Sequence, residues 1–82
     1  MAKKTVWMTE EDNEKHTIEF IRRPLSKSVW LIVDGESFEL AKKPARSEPF
    51  RLGEAHAVLV LDKKGRATVV VEGQELAPSS IK

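Results

Sequence analysis

The chain contains no cysteine, which excludes disulfide bonds, cysteine-ligated zinc and thiol catalysis. It also lacks an apolar run near the ~20 residues that a membrane-spanning helix needs. The longest such run, Ala55–Leu61, is interrupted by His56. No apolar segment follows the N-terminal Met-Ala-Lys-Lys, so we expect no secretory signal. These absences favour a cytoplasmic protein with no membrane partner.

Glycine and histidine are also scarce, and neither is arranged for chemistry. The four glycines are scattered, so the sequence has no glycine-rich loop that could hold a phosphate group. His16 and His56 are far apart in sequence, and no carboxylate has a spacing diagnostic of a metal site. No serine lies in a Gly-x-Ser-x-Gly nucleophile elbow. We therefore predict a non-enzymatic protein without a cofactor, a metal ion or a small-molecule ligand.

The charges nearly balance, because 14 basic and 13 acidic residues give a formal net charge of +1. This balance removes bulk charge as a reason to expect nucleic acid. The distribution is uneven: an acidic stretch spans residues 10–14, and basic side chains cluster between residues 22 and 51. Charge runs in small β-proteins are usually solvated turns or guards on edge strands.

One pattern occurs twice, because residues 30–40 return in shortened form as residues 69–76. Each copy is a valine-rich run, an acidic residue and a glycine, then a short run that ends in an apolar side chain. Asp34-Gly35 predicts a two-residue hairpin, since aspartate and glycine tolerate the positive φ angles of a type I′ turn. Glutamate tolerates them poorly, so Glu72-Gly73 predicts an edge or an irregular connection.

Strand patterns cover most of the remaining chain. Residues 5–8 predict a short strand that ends in an acidic loop, and residues 16–20 alternate as a half-buried strand does. Residues 29–33 are apolar on both faces, which predicts a central position in a sheet. Residues 42–49 predict a surface connection before a brief strand. The runs around residues 62–65 predict a hairpin with Gly65 in the left-handed conformation.

These elements predict an all-β fold, an antiparallel β-sandwich of about seven short strands. A small β-barrel is the alternative. We expect one domain over residues 1–82, with residues 1–4 and 77–82 frayed, and His56 on an edge or outer face. The predicted inner face comprises Ile18, Phe20, Leu31, Val33, Phe38, Leu40, Val58, Val60 and Val69 or Val71, with Trp7 or Trp30 sealing one end.

An ordered set of short motifs resembles the Fas apoptotic inhibitory molecule family over residues 6–76. The motifs are Val6-Trp7, His16-Thr-Ile-Glu-Phe20, the Val33-Asp34-Gly35 turn, Phe50-Arg-Leu-Gly53 and Val71-Glu-Gly-Gln-Glu-Leu76. The resemblance implies an antiparallel sandwich that acts through protein contacts, in cell-survival signalling or in countering aggregation. The chain departs from the family in being about one sandwich repeat long where two are typical. Its middle segment is also shorter and more basic.

The leading functional expectation is a non-catalytic protein-interaction module, because residues 29–33 need cover on both faces. The occupant would be a protein partner or a second copy of the chain. The expected surface comprises Val29, Trp30, Leu31, Arg22, Arg23, Lys42, Lys43 and Arg46. One alternative is a barrel that binds single-stranded nucleic acid by stacking bases on Trp30 or Phe50 while basic residues follow the phosphates. The other is a purely structural domain whose apolar side chains all lie in its own core.

Overall fold

The computed structural model describes residues 3–23, 28–40, 46–64 and 66–81, which form nine β-strands and no helix. The strands are β1 (Lys3–Glu11), β2 (Glu14–Arg23), β3 (Ser28–Val33), β4 (Glu36–Leu40), β5 (Arg46–Leu52), β6 (Ala55–Leu61), β7 (Ala67–Val71), β8 (Gln74–Leu76) and β9 (Ser80–Ile81). All pairings are antiparallel. The predicted all-β, antiparallel fold is confirmed.

The strands form two separate sheets. The first has the order β4-β3-β2-β1-β9 and the second has the order β5-β6-β7-β8. Both are open, so the alternative of a closed barrel is wrong, and two open antiparallel sheets are the strand composition of a β-sandwich. Contacts divide the chain into two compact units, Met1–Lys42 with Pro78–Lys82 and Lys43–Ala77. A single domain over residues 1–82 stays a prediction.

The first sheet buries one face, as the alternation in its strands predicts. Trp7 and Ile18 are fully buried cross-strand neighbours, and Phe20 lies opposite Leu31 on the same face. Val33 continues this buried face next to Ile18. The doubly apolar β3 lies between β2 and β4, so its predicted central position is confirmed.

Phe38 and Leu40 are less buried than predicted. Phe38 lies opposite Leu31, on the predicted face, but 44% of its surface is exposed, and Leu40 is half-buried. The reason is position, because β4 ends the sheet and has a neighbour on one side only. The predicted face of Phe38 is therefore correct, but the predicted burial of its side chain is not.

In the second sheet, the prediction that Val58 and Val60 lie on the inner face is wrong. Val58 is half-buried and 36% of Val60 is exposed, whereas Leu59 is fully buried. Because side chains alternate along a strand, Val58 and Val60 share a face with the exposed His56. The predicted outer position of His56 is therefore confirmed. The buried face is made of Leu52, Ala55, Ala57, Leu59, Leu61, Val69 and Val71.

The chain forms two consecutive four-stranded meanders, β1–β4 and β5–β8, and each contains two two-residue turns. The Asp34-Gly35 turn has φ values of 50° and 85°. Glu72-Gly73 has φ values of 48° and 81°, so the turn is regular, and of the two predicted alternatives the edge is confirmed, because β8 ends its sheet. The repeated sequence pattern is thus the same hairpin in each meander, and in both copies it joins the third strand to the fourth.

Several predicted loops and ends belong to strands. Residues 10 and 11 of the acidic stretch lie in β1, and residues 46–49 of the predicted connection lie in β5. Residues 3 and 4 pair with β2, and Ser80–Ile81 pair with β1. Fraying of residues 1–4 and 77–82 stays a prediction. The backbone N–H of Ser79 also donates to the carbonyl of Val6, at 2.7 Å. Gly65 lies outside the described residues, but Asp62 Oδ1 accepts hydrogen bonds from the N–H groups of Lys64 and Arg66.

The corrected face of β6 makes a direct prediction about stability. Leu59→Ala should lower the free energy of unfolding by about 2–5 kcal/mol, because it leaves a cavity at a fully buried site. Val60→Ala, at the next residue, should cost less than about 1 kcal/mol, because that side chain is partly in solvent. Urea unfolding followed by tryptophan fluorescence measures both. A larger loss for Val60→Ala than for Leu59→Ala would show that the face is assigned wrongly.

Candidate interaction surface

The face of the first sheet opposite Trp7 and Ile18 carries a cluster of apolar side chains. We define the outer-face patch as Val6, Met8, Ile21, Trp30 and Ile32. Their shared face follows from register: Ile21 lies opposite Trp30, and the other three occupy the same alternating positions on β1 and β3. Met8 is 64% exposed and the other four are half-buried.

Polar side chains are interleaved with the patch. The outer face has two full rows across β1–β4, of which one is Lys4, Ile21, Trp30, Glu39 and the other is Val6, Glu19, Ile32, Ser37. Lys4 Nζ lies 2.5 Å from Glu19 Oε1, so these two charges neutralise each other diagonally across the rows. The face of an antiparallel sheet that is in contact with water usually carries polar side chains. Here both rows instead have an apolar residue on β3, an interior strand.

The tryptophan of this patch has an enclosed polar atom. Indole Nε1 of Trp30 is shielded from solvent and has no hydrogen-bond acceptor among the described residues. The same is true of Trp7 on the buried face. An enclosed donor without an acceptor costs about 1–3 kcal/mol. Trp30 is therefore held by the apolar contacts of its ring and not by its polar group.

The predicted surface residues are only partly brought together. Val29 and Trp30 are half-buried, whereas Leu31 is 3% exposed and belongs to the core, so it cannot contribute to a surface in this fold. Arg22 and Arg23 are exposed at the end of β2 that lies farthest from its turn with β1. Arg46 begins β5 in the other unit, and Lys42 and Lys43 lie outside the described residues.

Sequence reasoning missed Val6, Met8, Ile21 and Ile32. Ile21 and Ile32 had a readable signal, because each falls at an outward position when Phe20 and Leu31 are placed inward. Met8 had the same signal relative to Trp7. Taking residues 29–33 as a surface segment grouped its inward and outward residues together. The outward residues of three adjacent strands, not one strand, make the patch.

A second polar cluster lies at the Asp34 turn. His16 Nδ1 donates to Asp34 Oδ2 at 2.6 Å, and the backbone N–H of Thr17 donates to Asp34 Oδ1 at 2.9 Å. The N–H of Asp34 in turn donates to the carbonyl of Thr17 at 2.8 Å. His16 is buried, and its other ring nitrogen lies 4.0 Å from Glu14 Oε2. Asp34 thus holds the turn against β2, and we call its two hydrogen bonds with the backbone of Thr17 a bracket.

The second meander repeats this bracket. The backbone N–H of His56 donates to Glu72 Oε1 at 2.8 Å, and the N–H of Glu72 donates to the carbonyl of His56 at 2.9 Å. His56 therefore occupies the place that Thr17 has in the first meander. The longer glutamate reaches the same N–H group as aspartate. This bond explains why an acidic residue stands in a left-handed conformation that glutamate tolerates poorly.

The Asp34 cluster is a structural bracket. Desolvation at the turn raises the pKa of Asp34, but the hydrogen bonds from His16 and from the N–H of Thr17, with the charge of His16, outweigh it and lower that pKa below its ordinary value of 3.8. Both carboxylate oxygens and one histidine nitrogen are already occupied by these bonds. Across the described ranges, no group of three or more histidine, aspartate or glutamate side chains is placed to hold a metal ion.

Comparison with known proteins adds no relative. No family model, no curated protein and no solved structure matches the chain. Within the part of the chain that the structure describes, no helix is long and apolar enough to cross a membrane.

The Asp34 bracket predicts an acid-sensitive part of stability. Because the folded pKa of Asp34 lies below its unfolded value, its contribution is fully present above about pH 4–5 and is lost as pH falls through the folded pKa. Asp34→Asn should therefore flatten the fall of unfolding free energy between pH 5 and pH 2.5. Urea unfolding at a series of pH values measures this slope.

A double-mutant cycle provides the control for this prediction. His16→Gln should flatten the slope in part, because it removes one of the interactions that lower the pKa of Asp34. The double variant should show little change beyond that of Asp34→Asn alone. An unchanged slope in Asp34→Asn would contradict the assignment.

Proposed function

We propose that this chain is a non-catalytic protein-interaction module that binds its partner through the outer-face patch. The observation that carries the proposal is the exposure of Met8, 64% of whose surface is in solvent beside four half-buried apolar side chains on one continuous face. Exposed apolar clusters with a polar surround are typical of protein contact sites.

The composition of the patch supports a protein partner. Methionine and tryptophan are both enriched in protein interfaces, because methionine adapts its shape and tryptophan supplies a large rigid surface. Lys4 and Glu19 pair with each other within the patch, so a partner would bury few uncompensated charges there. Apolar burial would then drive association, and the charged pair and the exposed polar residues of the rows would set orientation.

The resemblance to the Fas apoptotic inhibitory molecule family supports the same role. That resemblance implies contacts with other proteins, in survival signalling or in countering aggregation. An apolar patch on an antiparallel sheet is a suitable surface for binding the exposed apolar segments of an unfolded chain. We therefore include an anti-aggregation role in the proposal.

The placement of the polar side chains supports a non-catalytic role. The side chains of His16 and Asp34 form a hydrogen bond with each other. The second carboxylate oxygen of Asp34 accepts a hydrogen bond from the backbone of β2. Catalysis by such a pair needs a nucleophile or a substrate atom within hydrogen-bond reach of the free ring nitrogen. The carboxylate of Glu14 lies 4.0 Å from that nitrogen, which is beyond hydrogen-bond reach.

Nucleic-acid binding is the second candidate. It is favoured by the basic end of the first sheet, where Lys3 pairs with Arg22 across β1 and β2, and Arg23 follows. Base stacking is less well provided for, because Trp7 and Phe20 are buried and Trp30 and Phe50 are half-buried. Phe38 is exposed, but its strand β4 carries two glutamates and no basic side chain. Phosphate contacts without a stacking platform would give weak binding that depends strongly on salt.

A charge placed in the patch tests the proposal. Met8→Lys should weaken binding to a permanently unfolded client, reduced and carboxymethylated α-lactalbumin, by about tenfold, since burying an unpaired ammonium is costly. Stability should change by less than about 0.5 kcal/mol, because Met8 is largely exposed. Val60→Lys, an exposed valine of the second sheet, is the matched control and should bind as the wild type does.

Two results would contradict the proposal. One is wild-type protein that fails to bind the client, and the other is equal weakening by Met8→Lys and Val60→Lys. A fluorescent 20-nucleotide oligothymidylate at low salt tests the second candidate in the same titration. Binding of that probe, lost in Arg23→Glu and retained in Met8→Lys, would replace the first proposal with the second.

A further inference from the structure

The free edge of β4 has backbone groups that point away from its sheet. The N–H of Asp34 donates to Thr17 on β2, so the peptide groups of Val33 point the other way, towards β4. Because these directions alternate along a strand, Glu36, Phe38 and Leu40 bond β3. Ser37 and Glu39 therefore direct their N–H and carbonyl groups outward. No strand among the described residues pairs with that edge.

The edge also exposes an aromatic side chain. Phe38 is 44% exposed and lies at the middle of the five-residue strand. β4 carries no proline and no lysine, which are common guards against edge pairing. In contrast, Pro49 occupies the edge strand β5 of the second sheet, where it removes an N–H group. β4 does carry Glu36 and Glu39, but it lacks the proline that guards β5, so it is the less guarded of these two edges.

We propose that β4 pairs antiparallel with β4 of a second copy of this chain, about a two-fold axis at Phe38. This contact uses a different surface from the outer-face patch and does not rest on the proposed function. In this register Ser37 lies opposite Glu39 of the second copy, and the converse pair follows from symmetry. Each of these two pairs makes two backbone hydrogen bonds, which gives about four in all.

Side chains fit this register. Phe38 lies opposite Phe38 of the second copy at a non-hydrogen-bonded position, where cross-strand side chains approach most closely and aromatic pairs are favourable. Glu36 lies opposite Leu40, and Glu39 opposite Ser37. No carboxylate directly opposes another. Moving the two-fold axis from Phe38 to Ser37 would leave one hydrogen-bonded pair in place of two and would put Glu36 opposite Phe38.

The charges at the two ends of the first sheet favour the antiparallel direction. One end carries the acidic residues of its two turns and their flanks, namely Glu11, Asp12, Glu14, Asp34 and Glu36. The other end carries Lys3, Arg22 and Arg23, whereas Lys4 is paired with Glu19. A second copy related by the two-fold axis places its acidic end beside the basic end of the first. A parallel pairing would place like ends together.

The contact is small, so self-association should be weak. A single pair of five-residue strands buries less than the ~1,200 Å² of a standard interface. The end charges are mostly exposed and act through screening solvent, so they orient the pair more than they tighten it. The dimer should accordingly form at high protein concentration and dissociate on dilution.

Sedimentation equilibrium of the full chain over a wide concentration range tests the proposal. Wild-type protein should show a monomer–dimer equilibrium. Ser37→Pro should weaken it at least tenfold, because the substitution removes an outward N–H on each copy and leaves the β3–β4 bonds in place. Glu75→Pro is the matched control, since Glu75 follows its Glu72-Gly73 turn as Ser37 follows Asp34-Gly35, on the edge strand β8.

A cysteine provides a second readout that does not depend on proline being tolerated. Because the chain has no cysteine, a single introduced thiol can form a disulfide only between copies. Phe38→Cys should give a disulfide-linked dimer under mild oxidation, whereas Val60→Cys, an exposed position in the other unit, should not. The proposal is overturned if wild-type protein is monomeric at all concentrations, if Ser37→Pro and Glu75→Pro act alike, or if both thiols cross-link equally.

Discussion

Both sheets depend on one arrangement. An acidic residue with positive φ in a two-residue turn forms hydrogen bonds with the strand that precedes the hairpin. In the first sheet Asp34 accepts the N–H of Thr17 and donates its own N–H to the carbonyl of Thr17. A strand that continued past this point would offer its backbone carbonyl to that N–H. The type I′ turn directs the carbonyl elsewhere, so the carboxylate supplies the missing acceptor. Glu72 does the same for His56 in the second sheet.

This bracket explains how so short a chain forms two regular meanders. A two-residue turn fixes the register of a hairpin, but nothing in the turn alone fixes the third strand. The carboxylate spans from the hairpin β3–β4 to β2, and from β7–β8 to β6, so three strands are aligned by one side chain in each sheet. The register in turn selects which side chains face outward. The outer-face patch and the free edge of β4 are both consequences of that selection.

Much of the fold was predictable from the residues, and the failures have identifiable causes. The doubly apolar segment 29–33 correctly indicated a central strand. Ala55–Leu61 is apolar at both alternating positions except for His56, so the polar side chain was the one indicator of its outer face. Glu72 was judged by the cost of its positive φ alone. The hydrogen bond that offsets this cost reaches a residue 16 positions away, which local sequence cannot show.

The candidate surface was less predictable than the fold. Trp30 was expected at the surface, but Met8 and Val6 lie on β1 and join the patch only through cross-strand register. The exposure of Phe38 depends on β4 being an edge, and β9 pairs with β1 through contacts far apart in sequence. Strand order and non-local pairing are set by the whole chain, whereas alternation is local. This is why inner faces were mostly assigned correctly and exposed sites mostly were not.

Amide hydrogen exchange at Thr17, followed by NMR, tests the bracket most directly. The N–H of Thr17 bonds no backbone acceptor and is held by the carboxylate of Asp34. We predict that it exchanges slowly, like the N–H of His56, while the outward N–H groups of Ser37 and Glu39 exchange fast in dilute protein. Exchange of Thr17 as fast as that of Glu39 would contradict the account, because the bracket would then be open in solution.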